Sequence, residues 1–245
     1  MNVQFENRSD EACELRLRFI DEVGDTRPTV EVGPSTVEFR PRESSGVLRR
    51  DLDPGVFLLG VPGNQSARAE IDALVISEGI VPAGEHQADL RLEVLEGDGT
   101  AAAAQLPLRL ILQSMPRAQV NIAGSAGAFG SGSSVETVDF GVAESGATKR
   151  VFVQVRANAE STLSVRSAHR GVMRHVEMGE AGTEVAYQLE LDGEPVDLTR
   201  DWMRLVDPPR TLAGVSLPLD FTLGPIQGQM SGRYEDLLTI DVWPN

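Results

Sequence analysis

Apolar and polar residues alternate at period two in segment after segment of this chain. Leu15-Arg16-Leu17-Arg18-Phe19, Leu90-Arg91-Leu92-Glu93-Val94 and Leu106-Pro107-Leu108-Arg109-Leu110-Ile111-Leu112 do so in the first half. Val151-Phe152-Val153-Gln154-Val155, Leu163-Ser164-Val165, Val185-Ala186-Tyr187-Gln188-Leu189-Glu190-Leu191 and Leu238-Thr239-Ile240-Asp241-Val242 do so in the second. Such alternation sends every second side chain to one face, the mark of a half-buried strand. Turn signals separate the segments: Asp53-Pro54-Gly55, Pro62-Gly63-Asn64, Gly97-Asp98-Gly99, Asp192-Gly193 and Asp207-Pro208-Pro209. A helical period is almost never sustained; only Ser66 to Ile76 reads equally as a short helix or a strand. The pattern predicts an all-β fold of sandwich type.

The 245 residues allow one large domain or two ordinary ones. A boundary is expected near Pro116, after the strand Leu106–Leu112 and before Val120-Asn121-Ile122. This gives an N-terminal sandwich over residues 1–115 and a C-terminal one over 116–245. The Gly/Ser-rich stretch Gly124–Gly132 is expected to form a flexible hairpin inside the second.

Composition excludes several chemistries. Acidic residues number 37 and basic ones 22, a formal charge of −15, and no cation cluster stands out for neutralising phosphates. Nucleic acid is therefore not an expected partner. One cysteine, Cys13, rules out an intrachain disulfide framework and a Cys-rich zinc site. His86, His169 and His175 are scattered, so no metal and no cofactor are expected. The longest uncharged run, Ala118 to Val135, is too rich in Gly and Ser to span a membrane. The first residues show no basic stretch leading into an apolar one, so a secretion signal is not expected within this chain.

Two segments match each other. Gly84-Glu85-His86-Gln87-Ala88-Asp89-Leu90-Arg91-Leu92-Glu93-Val94 aligns with Gly232-Arg233-Tyr234-Glu235-Asp236-Leu237-Leu238-Thr239-Ile240-Asp241-Val242. After the first copy a turn leads into one more alternating strand; after the second come only Trp243-Pro244-Asn245. If the copies are equivalent strands, the second sandwich lacks its last one. Its apolar slot and unpaired backbone would then be exposed. Tyr234, Leu238, Ile240 and Val242 share parity, and are expected to line one face of that strand, forming a groove for a partner strand.

The second half also resembles a known family. Val138-Asp139-Phe140-Gly141, Val151-Phe152-Val153-Gln154-Val155-Arg156-Ala157-Asn158, Leu163-Ser164-Val165-Arg166-Ser167, Tyr187–Gly193 and the closing Gly232–Val242 carry the likeness. They resemble subunits of bacterial chaperone–usher surface fibres (pili, or fimbriae) of the spore coat protein U type. The likeness covers about residues 117–245 and is most specific in its Gly-x-Tyr-x-Asp closing pattern. The first half shares only Gly84–Val94 with the family.

The resemblance implies two immunoglobulin-like, pilin-like sandwiches, the C-terminal one lacking its last strand. It implies passage through the periplasm to the cell surface, and as partners a periplasmic chaperone, an outer-membrane usher and neighbouring fibre subunits. Such subunits are completed first by a strand of the chaperone and then by one of a neighbour. Seating a handful of apolar side chains in the slot would gain roughly 6–15 kcal/mol before ordering costs. Typical members carry cysteines that can pair, whereas Cys13 stands alone. Only Val3 and Phe5 precede Asn7-Arg8-Ser9, so no long donor extension is evident, and a fibre-tip position with an adhesive first domain is the expectation.

Catalysis is not expected. Asp139-Phe140-Gly141 spells a kinase triplet without a catalytic loop and reads as a strand edge. The closely spaced glycines of Gly124–Gly132 lack the strand-then-helix setting of a phosphate cradle. No Gly-x-Ser-x-Gly occurs, and most carboxylates of so acidic a chain belong on solvated faces. Asn7-Arg8-Ser9 and Asn64-Gln65-Ser66 read as chance glycosylation triplets, Cys13 as a small buried residue, and Trp202 and Trp243 as core or groove packing. Two alternative readings stand beside the fibre subunit. A two-domain periplasmic pilus chaperone would need an intact second sandwich and a basic interdomain cleft. A secreted carbohydrate-binding or hydrolytic sandwich would need a convergent polar and aromatic site.

Overall fold

The structure, a computed structural model, describes residues 1–21, 23–42, 48–76, 79–97, 101–122 and 135–245. The regular elements among them are strands, so the all-β expectation holds. The chain divides into two compact units, Met1–Ser114 and Met115–Asn245.

Unit 1 contains β1 (Asn2–Glu6), β2 (Cys13–Ile20), β3 (Thr29–Val32), β4 (Ser35–Pro41) and β5 (Leu48–Arg50). It continues with β6 (Val56–Val61), β7 (Ser66–Val75), β8 (Gly84–Glu96) and β9 (Ala101–Ser114). They form two antiparallel sheets, ordered β1-β7-β4-β3 and β5-β6-β2-β8-β9. Phe39, Ala69 and Ile71 from the first sheet and Leu17, Phe19, Leu59 and Leu92 from the second share one core, which makes the unit a sandwich. Phe19 stacks on Phe39 across it, with centroids 3.8 Å apart.

The segment that read as helix or strand is β7. Ala67, Ala69 and Ile71 point inward, while Arg68 and Asp72 stay outside the core, a period-two pattern a helix could not bury. Cys13 corrects the expectation of burial: it is exposed. It has the same parity as Leu17 and Phe19, but it is the first residue of β2. Pro107 sits within β9, opposite Arg91 of β8. A proline is tolerated in a ladder only where its missing N–H faces away from the partner, as on an edge strand.

Unit 2 contains β10 (Ala118–Ile122), β11 (Thr148–Ala157), β12 (Ser161–Ser167), β13 (Val172–His175) and β14 (Gly179–Leu191). It continues with β15 (Glu194–Pro195), β16 (Trp202–Val206), β17 (Val215–Leu223), β18 (Tyr234–Glu235) and β19 (Leu238–Pro244). The larger sheet runs β10-β11-β17-β14-β13-β18, with β15 returning along β14 through a tight turn at Asp192 (φ 56°) and Gly193 (φ 77°). The smaller runs β16-β12-β19. Val153, Val155, Leu189, Leu219 and Phe221 of the larger sheet meet Leu163 and Val165 of the smaller in the core. Asp139-Phe140-Gly141 is a turn rather than a strand edge: the Asp139 carboxylate accepts the Gly141 N–H at 2.8 Å. The Gly124–Gly132 stretch, and Asp98-Gly99 of the turn that begins at Gly97, lie outside the described residues.

The two units repeat one topology. In unit 1, β1 pairs β7, β7 pairs β4, β4 pairs β3, and β2 lies between β6 and β8. In unit 2, β11 pairs β17, β17 pairs β14, β14 pairs β13, and β12 lies between β16 and β19. Chain order is preserved through these strands, so β8 and β19 are counterparts; the first matched segment lies on β8 and the second runs from the loop before β18 through β18 to β19. The surroundings of the counterparts differ: β8 has β2 on one side and β9 on the other, whereas β19 has β12 alone among the described residues.

Candidate functional site: the open edge of the last strand

β19 is laddered to β12 from Leu238 opposite Ser167 to Pro244 opposite Ser161. Its other edge carries no ladder among the described residues. β10, the terminal strand of the larger sheet, comes within 8 Å Cα–Cα of β19 without pairing to it.

Burial records the same difference. Leu90, Leu92 and Val94 on β8 are 5%, 0% and 3% exposed. Their counterparts Leu238, Ile240 and Val242 are only half-buried, although they too pack against the core. In unit 1 the flank of β8 is covered by β9, with Leu108 opposite Leu90 and Leu106 opposite Leu92. No described strand plays that part for β19.

Of the residues read from the sequence as a groove, the structure places Leu238, Ile240 and Val242 together on β19. Tyr234 shares their parity but stands on β18, laddered to β13 with His175 opposite it. Its hydroxyl pairs with Thr183 Oγ1 at 2.5 Å and donates to the Met230 carbonyl at 2.9 Å. The chain changes sheets between Tyr234 and Leu238, and parity alone does not register such a crossing. Trp202 is half-buried against the core, while Trp243 is 40% exposed on the outer face of the small sheet, in a cross-strand row with Thr162 and Leu205.

Sequence reasoning missed the crossing point itself. Asp236, at the junction of β18 and β19, has a carboxylate 3% exposed. Its Oδ2 accepts from Ser167 Oγ at 2.6 Å and from the Tyr187 hydroxyl at 2.5 Å. Its Oδ1 accepts the backbone N–H groups of His169 at 3.0 Å and Leu237 at 2.8 Å. A buried carboxylate is tolerable when its lone pairs are met this fully. Burial pushes the Tyr187 phenol well above its ordinary range, and the bond to Asp236 pushes it further. The Gly-x-Tyr-x-Asp pattern was the available signal, but it gave no hint of these partners.

Asn7 of the first glycosylation triplet uses its amide within the fold, donating to the Glu11 and Val61 carbonyls at 2.7 and 3.2 Å. Among the described residues no group of His, Cys, Asp and Glu could hold a metal ion, and no helix is long and apolar enough to cross a membrane.

No protein-family model matches the sequence, and no curated protein does. Among solved structures, the chain is similar to a chaperone–tip adhesin complex of CFA/I fimbriae biogenesis, at 12% identity over 98% of this chain and 77% of that one, TM-score 0.43. A second is the CsuC–CsuE chaperone–tip adhesion subunit pre-assembly complex from archaic chaperone–usher Csu pili of Acinetobacter baumannii, at 11% identity over 99% and 91%, TM-score 0.43. A third is CfaE, the adhesive subunit of CFA/I fimbria of enterotoxigenic Escherichia coli, at 11% identity over 98% and 75%, TM-score 0.36. Likeness at this level bears on no residue or partner of this chain.

Proposed function

We propose that the chain is a non-enzymatic structural or adhesive subunit of a secreted chaperone–usher surface fibre, and that the open edge of β19 accepts a strand from its partners. A periplasmic chaperone would supply that strand first and a neighbouring subunit afterwards, with export through an outer-membrane usher. The observation that carries this reading is the contrast between counterparts: β8 is flanked on both sides and its apolar face is sealed, while among the described residues β19 is flanked on one side and its apolar face is half-buried. The resemblance of residues 117–245 to spore coat protein U-type subunits supports it. Val3 and Phe5 are engaged within unit 1, on β1 against its own core, so that strand is not the one passed on.

The test is a fusion. The β9 sequence from Gln105 to Ser114, joined after Asn245 by a flexible Gly/Ser linker, should raise the thermal midpoint of the full chain by several degrees. A fusion with the same composition but reversed parity should not, because its leucines would face solvent. An unchanged midpoint for the in-parity fusion overturns the proposal. It is also the outcome that a two-domain periplasmic chaperone, with a second sandwich already complete, would give.

A further inference from the structure

The outer face of β19 carries Thr239, Asp241 and Trp243, opposite in parity to the apolar side chains that meet the core. In the alignment of the two matched segments, the counterpart of Asp241 is Glu93 of β8. The two carboxylates hold the same place on their ladders and differ in what surrounds them. Glu93 is buried, and the strand on each side supplies a donor. Arg18, opposite it on β2, donates at 2.5 Å, and Gln105, opposite it on the flanking strand β9, at 2.7 Å. Asp241 is exposed. Where β2 sets Arg18, β12 sets Ser164, and Arg166, two residues on, faces Thr239 instead. Among the described residues no hydrogen bond or ion pair reaches the Asp241 carboxylate.

Glu93 shows what a strand laid beside this position contributes: a side-chain donor on the outer face, out of phase with the leucines that face the core. A neutral amide serves at Gln105 because Arg18 already balances the charge. At β19 no cation of β12 pairs with the carboxylate, so the balancing charge has to come from the incoming strand. We infer that Asp241 is a specificity-determining residue of the strand-accepting edge. The partner is a strand with an apolar row toward the core and a lysine or arginine on its outer face, opposite Asp241. A carboxylate there would form a like-charge pair directly across the ladder, which is unfavourable. The apolar row fixes which face of the strand enters, and the charge selects among strands that share that row. This deepens the proposed function and rests on its reading of the β19 edge as the acceptor.

The test uses the full chain and peptides with the sequence Ala102–Ser114, blocked at both ends and labelled at the Ser114 end, with affinity read by fluorescence anisotropy at low salt. In the register of β9 on β8, Leu106 and Leu108 fall opposite the places of Ile240 and Leu238, and position 105 falls opposite that of Asp241. The peptides are the natural one, Gln105→Lys and Gln105→Glu. The wild-type chain should bind the lysine peptide about threefold to tenfold more tightly than the glutamate peptide, with the natural one between. Added salt should narrow the gap. Asp241→Asn should shrink the preference for lysine, and Asp241→Lys should abolish or reverse it. A formal charge of −15 attracts any cationic peptide, and that background outlasts a change of two charges, so the variants isolate the local pair. Equal affinity of the wild type for the lysine and glutamate peptides overturns the inference, as does a preference for lysine undiminished in Asp241→Lys. Should Asp241→Lys fail to fold, an undiminished preference in Asp241→Asn overturns it instead. Failure of the wild type to bind any of the peptides removes the acceptor reading itself, a result distinct from these.

Discussion

The Tyr187 hydroxyl donates to the Asp236 carboxylate at 2.5 Å, joining β14 of the larger sheet to the chain where it enters the smaller. Tyr187→Phe removes that bond while keeping the ring in the core. Because Asp236 retains its other donors, the expected loss is about 1.5–2 kcal/mol, measured by urea unfolding at pH 7. The phenol is held above its ordinary value in the folded state, so its contribution is complete below the unfolded value of 10.0. Above that pH the unfolded chain releases a proton that the folded chain keeps, and stability falls by up to ~1.4 kcal/mol per pH unit. The urea midpoint should decline from pH 9 to pH 11 in the wild type more steeply than in Tyr187→Phe. Equal slopes would show that the phenol is not shielded.

Truncation should cost less on β19 than on β8. Leu92→Ala deletes a fully buried side chain and should cost about 2–5 kcal/mol. Its counterpart Ile240→Ala deletes a half-buried one, and should cost about 1–2 kcal/mol in the free chain. Denaturant titration of both variants checks the ranking. With the in-parity strand fused after Asn245, the Ile240→Ala cost should rise toward that of Leu92→Ala.

Gly232 sits at φ +149°, and a Cβ there would lie 2.1 Å from His175 Nε2. That nitrogen is 3.1 Å from the Ser231 carbonyl, and the ring's other nitrogen accepts the N–H groups of Glu177 and Met178 at 3.2 and 3.3 Å. Gly232→Ala should therefore displace a buried, fully bonded imidazole. The expected cost is about 2–4 kcal/mol from backbone strain and a lost hydrogen bond, read from thermal unfolding. A neutral effect would mean that the loop before β18 moves freely.

Acid should weaken the chain partly through Glu93. Burial alone would raise its pKa, but the hydrogen bonds from Gln105 at 2.7 Å and Arg18 at 2.5 Å, with the charge of Arg18, hold it below the usual carboxylate range. A depressed folded value contributes stability above the unfolded pKa, near ~4.3, and loses it as pH falls through the folded value. Glu93→Gln should cost about 1–3 kcal/mol at pH 7 and flatten the loss of stability between pH 5 and pH 3. Parallel pH profiles for the variant and the wild type would assign acid lability to other groups.

The strands were legible because burial on one face leaves a period of two, as in Val185–Leu191, where Val185, Tyr187, Leu189 and Leu191 are all buried. The repeat of topology was legible at one place only, since counterpart strands share a pattern of burial and few side chains. Asp236 was present in the closing pattern, but its partners lie 49 to 69 residues away and meet only in the folded sandwich. Parity put Tyr234 on the last strand. It fails there because it does not register where a chain leaves one sheet for another.

Pro107 gives the open edges a direction. A strand laid along the outside of β9 would meet a ring and a missing donor midway, so sheet growth stops there. From Leu238 to Trp243 the edge of β19 holds no proline, and a strand laid beside it meets an uninterrupted row of donors and acceptors. Of these two edges, the one along β9 is interrupted by a proline at its middle and the one along β19 is not.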